Sequence, residues 1–97
     1  MRIRTIKPEF WTDGKLISLP IETRLLFVGL WQMADDWGAL EDEPDRIKLQ
    51  VFPADTVDVW NCLEMLETCG LIERYLVGHT RIIFIPHFTK HQKIDKR

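Results

Sequence analysis

The sequence predicts a small α+β domain in which three helices are closed by a C-terminal β-hairpin. Apolar residues recur at helical spacing from Ile21 to Ala34, and two further helical segments are bounded by prolines, acids and Gly70. Two β-rich runs, Leu71 to Val77 and Thr80 to Ile85, are separated only by Gly78-His79, a hairpin signal. At 97 residues the chain has room for one core but not for a deep cleft between lobes. Its Trp and Phe content is too high for a disordered segment.

Arg2 to Lys7 alternates basic and apolar side chains and ends at Pro8, which disfavours helix in the residue before it, so residues 1–8 read as an extended basic arm. Glu9 to Trp11 reads as a helical turn, and Thr12-Asp13-Gly14 as a turn before Lys15 to Leu19. In the first helix, Leu26, Leu30 and Met33 form one row and Phe27, Trp31 and Ala34 the next. That stripe is wider than one face needs, as expected of a central or interfacial helix. Asp35-Asp36-Trp37-Gly38 ends it, and Ala39-Leu40 reads as a short strand segment. The second helix starts at Pro44 with Asp42 or Glu43 as cap, turns Ile47 and Val51 or Phe52 inward, and stops at Pro53. The third, Thr56 to Cys69, takes Asp55 as cap and Val59, Leu63 and Leu66 as its inner face.

Helix, short strand, helix, helix, hairpin is the order of a winged helix-turn-helix, although a compact ααβα-like arrangement satisfies the same pattern. Residues 1–88 are expected to form the domain, and residues 89–97 a basic tail that begins a linker to a further region. Cys62 and Cys69 lie seven apart on the third helix, hence about 10 Å along its axis, too far for a disulfide. The chain has no run of about 18 apolar residues, and Met1 to Lys7 lacks the apolar region of a signal peptide, so a cytoplasmic protein is expected.

Charge is unevenly distributed. Each terminus is net +3 against a whole-chain charge of −2, which leaves −8 on the body between them. Fields are local within a Debye length of about 10 Å, so contacts to DNA are expected from the ends. The candidates are Arg2, Arg4 and Lys7 on the arm and Lys90, Lys93, Lys96 and Arg97 on the tail, helped by His79 and Arg81 on the hairpin. Such contacts meet the sugar-phosphate backbone and give little sequence preference. The third helix carries no basic residue, and Asp55, Asp58, Glu64, Glu67 and Glu73 surround it with acid. It is therefore not expected to read bases in a major groove.

Catalytic and metal chemistry find little support. His87 and His91 have i, i+4 spacing but no Glu that completes a His-Glu-x-x-His motif, and the cysteines lack zinc-knuckle spacing. There is no Gly-rich phosphate loop, and Ser18 is the only serine. No enzyme activity, metal or cofactor is expected. Of the four tryptophans, Trp31 and Trp60 read as core, whereas Trp11 and Trp37 sit in turns and are candidates for a self-association surface that forms a homodimer.

Three stretches carry a family resemblance: Ile3-Arg4-Thr5-Ile6-Lys7-Pro8-Glu9-Phe10-Trp11, Arg24-Leu25-Leu26-Phe27 with Gly29-Leu30-Trp31 and Ala34-Asp35-Asp36, and Ile85-Pro86-His87-Phe88-Thr89-Lys90-His91-Gln92. With Ile47-Lys48, Phe52-Pro53, Gly70-Leu71-Ile72 and Arg74-Tyr75 between them, the chain resembles the N-terminal domain of phage and prophage replication proteins of the DnaD-like, replisome-organiser type. The resemblance implies a winged-helix module that binds DNA or self-associates, followed by a region that meets a helicase or its loader. Two functions therefore stand beside each other: a non-catalytic DNA-binding module of a replication initiator, and a protein-interaction module working through the broad first helix and the acidic third. A transcriptional regulator is a weaker third, because operator recognition needs base-reading residues.

Overall fold

In a computed structural model that describes residues 1–92, the chain forms an α+β fold of helices and a three-stranded antiparallel sheet. A 3-10 turn at Pro8–Thr12 leads into α1, Gly14–Ile17, then α2, Ile21–Met33. Strand β1, Ala39–Glu41, precedes α3, Pro44–Val51, and α4, Val59–Thr68. The hairpin β2, Glu73–Val77, and β3, Thr80–Phe84, is followed by the single turn α5, Phe88–His91.

The turn expected at Thr12-Asp13-Gly14 is the start of a helix. Asp13 accepts from the amides of Lys15 at 3.0 Å and Leu16 at 3.3 Å, an N-cap that seats Leu16 in the core. α2 is central: Leu26, Phe27, Leu30 and Trp31 are all buried. At Gly29 it meets α3 closely enough that a Cβ there would lie 2.6 Å from the Val51 side chain, so only glycine permits the contact. α4 begins later than Thr56, and its cap is Asp58, not Asp55. The Asp58 carboxylate accepts from the Asn61 amide at 3.1 Å, while Val57 upstream packs against the core outside the helix. Both acids are sound caps locally, and the burial of Val57 decides between them.

Strand β3 is the centre of the sheet, with Leu40 opposite Ile83 on one side and Arg74 opposite Ile83 on the other. The hairpin turns through Gly78-His79, and Gly78 holds φ +62, matching the two-residue loop with glycine first. Asp42, just past β1, is buried and receives Arg74 in a two-point ion pair, Nε to Oδ2 at 2.7 Å and Nη2 to Oδ1 at 3.0 Å. Phe88, the first residue of α5, and Gln92, just past its end, are both buried.

Candidate nucleic-acid interface

The C-terminal turn of α2 leaves carbonyls without partners inside the helix. Arg4 supplies the donors. Its Nε donates to Trp31 O at 3.0 Å, and its Nη2 to Ala34 O at 2.9 Å and Asp35 O at 3.3 Å. The same guanidinium lies 5.0 Å from the centroid of the Phe88 ring and pairs with Asp36 at 3.3 Å. A cation is also favoured at this end of a helix by the macrodipole.

The arm expected over residues 1–8 is therefore docked, and Arg4 does not serve as one of its outward cations. Its side chain is only 8% exposed and its donors are used inside the fold. Arg2 is different: its amide donates to Gln32 O at 2.7 Å, while its half-exposed guanidinium pairs with Asp36. Lys7 lies exposed just before the Pro8 turn.

One step along the arm, Thr5 is joined to Gln92 by reciprocal hydrogen bonds. The Thr5 amide donates to Gln92 Oε1 at 2.9 Å, and Gln92 Nε2 donates to Thr5 O at 2.6 Å. A side-chain amide here imitates a neighbouring strand, and both ends of the described chain come to one pole of the molecule. Lys90 falls on α5 at that pole; Lys93, Lys96 and Arg97 lie outside the described residues.

The turn beyond α2 stands at the same pole. Asp35 Oδ1 accepts from the amides of Trp37 at 2.9 Å and Ala39 at 3.0 Å, and Gly38 O accepts from Ile85 N at 2.8 Å. Gly38 holds φ +87, and a Cβ there would lie 2.7 Å from Phe88 Cβ, so both backbone and space demand glycine. This rigid turn presents Trp37, 81% exposed.

The remaining candidates are dispersed. His79 is exposed at the hairpin tip. Arg81, also exposed, lines a surface cleft of about 410 Å³ with Asp42, Glu43, Asp45, Arg46 and Trp60, a setting of mixed charge. Trp11 is exposed and lines an apolar groove of about 330 Å³ with Ile6, Ile21, Arg24 and Leu25. The two tryptophans read as one self-association surface thus occupy different sites, Trp11 against the N-terminal half of α2 and Trp37 beyond its other end.

Trp31 is buried as expected, but Trp60 is 51% exposed. Val59, Cys62, Leu63 and Leu66 form the inner face of α4, and one residue on from Val59 is a rotation of about 100°. Trp60 therefore turns out, beside exposed Asn61, Glu64, Glu67 and Thr68. Both cysteines are free thiols. Burial pushes the Cys62 thiol up, only partly offset by the Thr23 hydroxyl that donates to its sulfur at 3.2 Å.

Sequence reasoning missed Gln92, Phe88 and Asp36 as the residues that organise this pole. No local pattern marks Gln92, because its partner lies 87 positions away. Among the described residues no group of three His, Cys, Asp or Glu side chains is placed to hold a metal ion. Among the same residues no helix is long and apolar enough to cross a membrane. Comparison with family models, curated proteins and solved structures finds no match.

Proposed function

We propose that the α+β fold is a winged helix-turn-helix with β2–β3 as the wing, and that the domain is a non-catalytic DNA-binding module of a phage-type replication initiation protein. The element order and the resemblance support the fold reading. The observation that carries the function is the reciprocal Thr5–Gln92 bonding, which gathers the arm and the start of the tail at one pole. Arg2 and Lys7 of the arm and Lys90 at the start of the tail belong to segments that this bonding brings together, and fields of neighbouring cations add within about 10 Å. The acidic α4 repels phosphate, so backbone contact from this pole is the mode of binding, with little sequence preference.

Fluorescence anisotropy against labelled DNA at about 50 and about 200 mM salt tests it. Micromolar binding that falls steeply with salt is expected, and replacing Arg2, Lys7, Lys93 and Lys96 with Ala is expected to weaken binding and flatten the salt slope. Unchanged affinity in that variant removes the proposal.

A second reading rests on its own observation. The groove lined by Ile6, Trp11, Ile21 and Leu25 exposes apolar surface in the manner of a protein-interaction or homodimer face. Absence of DNA binding at low salt, with a Trp11→Ala change in oligomer size, favours it.

A further inference from the structure

Resting on the DNA-binding reading above, we infer that the pole takes single-stranded DNA, with Trp37 as the platform on which an unpaired base stacks. Three tryptophans are exposed, and their surroundings differ. Trp60, half exposed on α4, shares a cleft with Asp42, Glu43 and Asp45 as well as Arg46 and Arg81, and Trp11 lies in an apolar groove. Trp37, the most exposed of the three, follows directly on Asp36, which pairs with Arg2 and Arg4 of the arm.

Its two neighbouring acids are already engaged. Asp36 pairs with the guanidinium groups of both Arg2 and Arg4 while staying half exposed, and Asp35 Oδ1 accepts from two backbone amides. The charge that would repel a phosphate beside the ring is thereby offset. Arg2 pairs with Asp36, the residue before Trp37, and its side chain stays half exposed.

The backbone that carries the ring is also fixed, by the Asp35 hydrogen bonds, by the Gly38 conformation and by Phe88, so the turn loses little freedom when a base arrives. An aromatic face stacks on any base, but a duplex hides its base faces except at its ends. Phosphate contact from the arm and stacking on Trp37 together are the combination used by single-strand binders.

The experiment compares a labelled single strand of about 15 nucleotides, an abasic strand of the same length and a hairpin-capped duplex, at about 50 mM salt. The wild-type chain is expected to bind the base-bearing strand more tightly than the other two. Trp37→Ala is expected to weaken that binding at least about fivefold, to leave abasic-strand binding unchanged, and to be largely rescued by Trp37→Phe. An unchanged melting temperature in Trp37→Ala, expected for so exposed a side chain, ties the loss to the ring. Equal affinity of Trp37→Ala and wild type for the base-bearing strand, or wild-type preference for the duplex, overturns the stacking inference alone. No wild-type binding to any of the three overturns the DNA-binding reading with it.

Discussion

Arg74 and Asp42 form a two-point ion pair that fastens the hairpin to the turn between β1 and α3. The carboxylate is 5% exposed and the guanidinium 18%, so neither partner is freely solvated. Hydrogen bonding to Asp42 holds the Arg74 guanidinium above its ordinary pKa, against the opposing effect of its own burial.

Removing one partner leaves a buried charge without compensation. Arg74→Ala is therefore expected to cost about 2–3 kcal/mol in denaturant unfolding. Arg74→Lys is expected to recover only part of that, because an ammonium cannot reproduce the fork. A loss below about 0.5 kcal/mol in Arg74→Ala contradicts the role assigned to the pair.

The α2–α3 contact at Gly29 makes a second case. Gly29→Ala gains helix propensity worth about 1 kcal/mol but drives its methyl into Val51. Overpacking is expected to win, with a net loss of about 1–2 kcal/mol. In the Gly29→Ala, Val51→Ala double variant the two methyl contacts are gone and only the Val51 Cβ at 3.3 Å remains, so the two effects are expected to be strongly non-additive. Simple additivity counts against the contact.

Thiol labelling separates the two cysteines. Cys62 is buried, with its thiol held protonated by burial, whereas Cys69 is half-buried at the end of α4. A disulfide-exchange reagent is expected to modify Cys69 in the native protein and Cys62 only at the rate of unfolding. Equal rates under native conditions contradict this burial order.

Glu43 gives a pH dependence. Its hydrogen bond with Glu41 raises its pKa above 4.5, aided by desolvation and the Glu41 charge and opposed by Arg46. A carboxyl whose folded pKa is raised favours the fold below its unfolded pKa and loses that contribution as pH rises through the folded value. Glu43→Gln is therefore expected to melt slightly higher than wild type near pH 7, with the gap closing toward about pH 4. A gap that stays constant with pH excludes the Glu41 interaction as its source.

Much of the architecture was legible locally. The α2 stripe, Pro44 at the start of α3 and the Gly78-His79 turn each report a backbone preference carried by neighbouring residues. Long-range choices were not legible. Asp55 and Asp58 are equivalent caps until Val57 is seen against the core, and Trp60 fits the apolar pattern of α4 until its rotation past Val59 is fixed. At the candidate site the same divide holds. The basic termini were visible as composition, but spacing could not show that Arg4 turns inward to the carbonyls of α2, or that Gln92 meets Thr5.

The Thr5–Gln92 bonds also set how the molecule answers a mechanical load. A pull applied between Met1 and Gln92 does not first stretch the helices. From Met1 it falls on the Arg2 bonds to Gln32 and Asp36 and then on the Arg4 guanidinium, and from Gln92 on its two hydrogen bonds to Thr5. These few polar contacts bear the load between the chain ends before it reaches the buried face of α2, so tension on the ends is expected to part the two termini first.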